Sequence, residues 1–179
     1  MTALSDLLRV SSISTALCSL HSLLLVPEST EDPIHTFHKS FTDFLTDPTR
    51  CKDKRFFVEP ASHHVEVLLS CFRLMEEMLK RNICHLDDHA VLSDVKDLPI
   101  YQKDHIGDAL EYACRFWTKH LLKVPGNSSH IGEVQKAIDK FFRTHLLYWI
   151  EVLALTGNLD VGVYAMNDIE QWYASVGAM

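Results

Sequence analysis

The chain has 179 residues, 47% of them apolar and 23% charged, enough to bury a sizeable interior as one domain or as two small ones sharing a core. Its formal net charge of −7 argues against a general nucleic-acid binder, because a phosphate backbone calls for a basic face. No stretch approaches the roughly 20 apolar residues of a membrane span, and MTALSDLLRVSS lacks the charged start and apolar block of a secretory leader.

Along the chain, Thr2 to Val10 and Ile13 to Ser22 have helical spacing, with Leu4, Leu7 and Leu8, then Ile13, Leu17 and Leu20. The apolar run Leu23-Leu24-Leu25-Val26 ends at Pro27, polar PESTEDP follows, and Pro33 precedes Ile34-His35-Thr36-Phe37-His38. Two short runs about a Pro-bounded polar connection predict a β-hairpin. Two helices leading into a hairpin suggest a winged-helix-like unit over residues 1–58.

From Pro60 onward the pattern is almost wholly helical. Ala61 to Lys80 carries Val65, Leu68, Leu69, Phe72, Met75 and Leu79, and a second stripe of Val67, Cys71, Leu74 and Met78 runs beside it. Two apolar faces on one helix predict packing on both sides. Asp104 to Leu122 repeats the theme, Ile131 to Leu155 is the longest such run, and a last helix spans about Asp160 to Val176 after the helix stop Gly157-Asn158. Trp117, Trp149 and Trp172 are expected in the core. The fold class is therefore mainly α, with antiparallel helices stacked over residues 59–179 behind the hairpin.

Only six glycines are present, and GxxxxGK[ST], GxGxxG, HExxH and GxSxG are all absent. No local signature points to a Cys–His nucleophile pair, whose partners would meet only in space. Five scattered cysteines without CxxC read as thiols of a reducing compartment, placing the chain in the cytoplasm. The densest donor cluster is Cys84-His85-Leu86-Asp87-Asp88-His89, where a helix would set His85 and His89 on one face for zinc. A structural zinc site draws ligand pairs from two segments, and no second compact cluster follows, so a polar loop is the default there. His63 and His64 are adjacent in a helix, where side chains diverge, so a shared ligand is not expected. The thin basic group Lys39, Lys52, Lys54 and Arg55 is interleaved with Asp43, Asp47 and Asp53.

In IHTFHKSFTDFL, β-branched Ile34 and Thr36 favour an extended chain, so His35 and His38 point to opposite faces rather than converging on a metal. Ser40 with Asp43 three further on matches a capping box, and Phe41, Phe44 and Leu45 form the inner face of the helix it starts. His38 then lies two residues before a helix N-terminus, where free N–H groups and the dipole attract anions. Its imidazole either donates to a phosphate or carboxylate there or packs beside the cap, bonded to a backbone carbonyl.

LHSLLLVPESTEDPIHTFHKSFTDFL (Leu20 to Leu45) resembles the winged-helix segment of NACHT-type signal-transducing NTPases, the NLR-like proteins, in particular the fungal branch with WD-repeat or other repeat C-termini. RFFVEPASHHVEVLLSCFRLMEEMLKRNIC (Arg55 to Cys84), ALEYACRFWTKHL (Ala109 to Leu121) and LLYWIEVLALTGNL (Leu146 to Leu159) look like landmarks of the helical connector that follows it. The resemblance covers nearly the whole chain.

The resemblance implies that HKSFTDF matches the family's H-x-[ST]-F-x-[DE]-F stretch, whose histidine contacts the ADP phosphate in the closed state. The role carries over to His38, with Ser40, Phe41 and Asp43 as motif positions. The P-loop and NTPase fold are missing, so the chain reads as a fragment or truncated product, and ATPase activity is not expected of it. ADP or ATP enters only with an upstream NACHT core. The partners implied are proteins: such a core, a repeat domain, or a second copy of the chain, with neither nucleic acid nor membrane. The alternatives are a free-standing helical scaffold with an exposed apolar groove, and a metal-binding protein using Cys84, His85 and His89.

Overall fold

The helix at Gly107–Leu121 organises the chain: Leu110, Ala113, Cys114, Trp117 and Leu121 are each 0% exposed, at helical spacings of three and four. The computed structural model describes residues 2–9, 17, 20, 22–26, 34–87 and 89–177. Among the described residues lie α1 (Thr2–Leu8), β1 (Leu24–Leu25), β2 (His35–Thr36), α2 (Lys39–Thr46), α3 (Pro60–Met78), α4 (Leu98–His105), α5 (Gly107–Leu121), α6 (Ile131–Thr144), α7 (Leu146–Leu155) and α8 (Leu159–Gly177). The fold is mainly α with one small antiparallel sheet, as the periodicity predicts.

Helix α5 contacts α1, α3, α4, α7 and α8, and its longest interface is with α3. The two-striped pattern of α3 is explained by its neighbours: Val65, Val67, Leu68, Cys71, Phe72, Leu74 and Met75 are buried against α1, α5 and α6. The tryptophans form the centre. Trp117 packs against Phe72, Phe141 and Trp149 with ring centroids 5.0, 5.4 and 6.1 Å away. The indole N–H groups of Trp149 and Trp172 donate to the carbonyls of Cys114 at 2.9 Å and Val124 at 3.0 Å, pinning α7 and α8 to α5 and the turn behind it. Trp117 Nε1 is buried without an acceptor among the described residues, so that ring contributes through packing.

Two expected long helices are each divided. The pattern over Asp104 to Leu122 is cut at Gly107, whose φ of +64° is costly for a residue with a Cβ. The chain before it forms α4, with Pro99 in its first turn, a position that spares the missing N–H. The pattern over Ile131 to Leu155 is cut at His145, whose φ of −124° leaves the helical region. Thr144 Oγ1 donates back to the Lys140 carbonyl at 2.7 Å at that point, and the change of direction turns Trp149 onto α5. Gly157 stops α7 as expected: its φ is +70°, its N–H reaches the Ala154 carbonyl, and the Asn158 N–H reaches that of Leu153.

At the N-terminal end, the hairpin pairs Leu24 with Thr36 and Leu25 with His35. The predicted helix at 13–22, the PESTEDP connection and Cys18 lie largely or wholly outside the described residues.

Candidate functional site

The hairpin delivers the chain to α2 in extended conformation, and His38, at φ −145° and ψ 138°, is the residue that caps the helix. This corrects the expected capping box: Ser40 is the second helical residue, and the cap is the imidazole. Nδ1 of His38 accepts the Ser40 backbone N–H at 3.0 Å, and the Ser40 hydroxyl lies 2.9 Å from the same nitrogen. With Nδ1 an acceptor, the proton of the neutral ring sits on Nε2, which is left to donate elsewhere. The ring is exposed. The inner face expected for α2 is only partly covered, with Phe41 and Leu45 half-buried and Phe44 38% exposed under the Arg50 guanidinium.

The segment behind α2 is held by local ion pairs and turns. The Asp47 carboxylate accepts from Thr49 N–H and Oγ1 at 2.8 and 2.7 Å, which holds its pKa below the usual carboxylate range. Arg55 donates to both oxygens of Asp53 and lowers the pKa of that carboxyl, so its guanidinium is already engaged. The Val58 N–H donates to the Leu45 carbonyl at 2.8 Å, joining the approach to α3 to the end of α2.

The described residues of the Cys84–His89 stretch form no helix, and their donors separate. Asn82 (φ +51°) exchanges hydrogen bonds with Leu86 through both ends of its amide, closing a tight loop. The carboxylate of Glu151 on α7 accepts the N–H groups of Asn82 and Ile83 at 3.1 and 3.0 Å. That anchorage turns Cys84 inward, 0% exposed, where burial and then the nearby Glu151 charge push its thiol pKa up. His85, at φ +53°, faces the other way and meets His105 edge-on at 5.1 Å, while the exposed His89 donates its N–H to Asp87. Among the described residues no three His, Cys, Asp or Glu side chains gather as a metal centre.

A polar cluster that the sequence does not reveal lies between α3 and α5. His64, near the start of α3, and His120, near the end of α5, bring their Nδ1 atoms to 3.0 Å. Tyr112 Oη lies 2.8 Å from Nε2 of His120. Burial lowers the pKa of both imidazoles; His63 and Lys123 add to the effect at His64, and His64 and His63 add to it at His120. The partners are 56 residues apart, so local spacing gives no sign of the pair. Its only trace in sequence is that His64 lies on the Leu68–Cys71–Met75 face.

No protein-family model matches the chain, and no solved structure matches it. It is 25% identical over 163 residues to the vegetative incompatibility protein HET-E-1 of Podospora anserina, a match covering 83% of this chain and 12% of that protein. The chain thus spans a small part of the length of this curated relative. The match supports a distant relationship to that fungal protein.

Proposed function

We propose that the chain is a non-enzymatic regulatory and interaction segment of a NACHT-type, NLR-like signalling protein. In this reading the hairpin and α2 form the part of a winged-helix-like unit that senses nucleotide bound by an NTPase core, and the helices from Pro60 onward carry that state to downstream repeats. The distant relationship to HET-E-1 supports the family, and the tightly pinned helices behind α5 suit a rigid transmitter. Leu147 (76% exposed) and Val163 (67%), on α7 and α8, are apolar surface of the kind that protein partners cover.

The observation that carries the reading is the His38 ring: Nδ1 is engaged by the helix it caps, so Nε2–H is directed by the cap and free to donate to a phosphate oxygen held by a neighbouring core. Nucleotide affinity would come from that core, with His38 adding one hydrogen bond. The test combines the purified chain with a NACHT domain from a fungal NLR-like protein and measures ADP affinity by calorimetry, with wild-type chain, His38→Ala and no chain. A hydrogen bond to a charged group contributes about 1.5–3 kcal/mol, so His38→Ala should weaken ADP binding by about tenfold to a hundredfold. Equal affinity in the three arms would remove the sensor role.

A further inference from the structure

We propose that His64 and His120 form a binding site for a single divalent zinc-class ion, which clamps α3 to α5. The two Nδ1 atoms face each other 3.0 Å apart, with ring centroids 5.2 Å apart and the rings tilted by 47°. Two imidazole nitrogens on a tetrahedral zinc, each at 2.0–2.1 Å, stand about 3.3–3.4 Å from each other. The observed spacing therefore needs an opening of only about 0.3–0.4 Å, within reach of small side-chain torsions.

The proton arrangement suits a ligand pair. In the tautomer whose Nε2–H donates to Tyr112 Oη, 2.8 Å away, the lone pair of His120 Nδ1 points at His64. An outer hydrogen bond of this kind fixes the tautomer and orientation of a metal-bound histidine. In the metal-free pair that tautomer makes His64 Nδ1–H the donor to that lone pair. On binding, the ion takes the place of the shared proton, which returns through solvent to Nε2 of His64. Both rings stay neutral and both Nδ1 lone pairs point at the ion; no electrons are transferred.

The remaining coordination positions belong to water or an external donor. His63, adjacent on α3, has its ring 6.2 Å from that of His64. Lys123 opposes a cation electrostatically, but it is exposed and its long stem lets the ammonium turn into solvent. The buried thiols do not compete: burial pushes Cys71 up to about 12 and raises Cys114 as well.

The test titrates tag-free full-length protein with Zn²⁺ by calorimetry and with Co²⁺ by absorption. Wild type and a His85→Ala control should each bind one ion per chain, with a cobalt spectrum free of thiolate charge transfer. His64→Ala and His120→Ala should abolish that binding while helix content by circular dichroism is unchanged, and Tyr112→Phe should weaken it about tenfold or more. Should either alanine variant fail to fold, histidine ring resonances of the wild type decide: Zn²⁺ should move those of His64 and His120 and leave the others in place. Wild type that takes up no ion, unchanged affinity in His120→Ala, or shifts confined to other histidines would overturn the proposal.

Discussion

Cys71 and Cys114 are both fully buried on the facing sides of α3 and α5, and their chemistry follows from that position. Taking a thiolate out of water is unfavourable, so burial pushes Cys71 from an ordinary 9.0 up to about 12 and raises Cys114 too, with the Cys71 and Glu111 charges adding to it. A pKa raised on folding means that the folded chain holds its proton longer than the unfolded one. The stabilisation is complete below pH 9.0, the unfolded value, and is lost as pH rises toward 12, at about 1.4 kcal/mol per pH unit per thiol at most. Urea midpoints measured from pH 8 to 11 should therefore fall more steeply for wild type than for Cys71→Ala; parallel curves would show that this thiol is not responsible. The helical stripe Val67-Cys71-Leu74 makes Cys71 legible as a core residue. The His64–His120 pair and the Asp168 carboxylate, which accepts from Thr118 and Lys119 at 2.8 Å each, are not legible, because each joins residues about fifty apart whose types are common on solvated faces.

Helix existence was readable where apolar spacing persisted; helix ends were readable only where a residue with special backbone freedom marked them. Gly157 announces the end of α7, and the structure shows the full set of capping bonds. The break at Gly107 is hidden because Ile106 and Leu110 keep a spacing of four across it, and both are buried. The break at His145 has no glycine at all; it arises from Thr144 bonding back to the preceding turn and from the demand that Trp149 reach Cys114. The Gly107 position permits a clean measurement, because a Cβ there would meet nothing within 4 Å and only the φ of +64° resists it. Gly107→Ala should thus destabilise by about 1 kcal/mol and lower Tm by about 2–4 °C. An unchanged or raised Tm would mean that α4 and α5 tolerate joining into one helix, contrary to the division seen here.

Across the whole molecule, burial is unevenly shared between the hairpin–α2 region and the helices behind it. Helix α2 has no buried residue, whereas α5 buries seven of its fifteen and packs against α1, α3, α4, α6, α7 and α8. What ties α2 down is short-range: the His38 cap, its contact with β2, and the Val58 to Leu45 hydrogen bond. Segments with few buried apolar contacts open at free energies well below global unfolding, while a central helix opens only with the whole. Backbone hydrogen exchange should therefore divide the chain. Amides of residues 42–46 should exchange orders of magnitude faster than those of 113–121, and only the latter should slow in step with added global stability. His38→Ala, which removes a cap worth about 0.5–2 kcal/mol, should speed exchange in α2 further and leave α5 unchanged. Uniform protection across both helices would mean that α2 is bound into the core more firmly than its exposure allows. An α2 that opens alone is also the property a responsive element needs, since a ligand's phosphate contacting the His38 cap would shift a local equilibrium without having to unfold the stack.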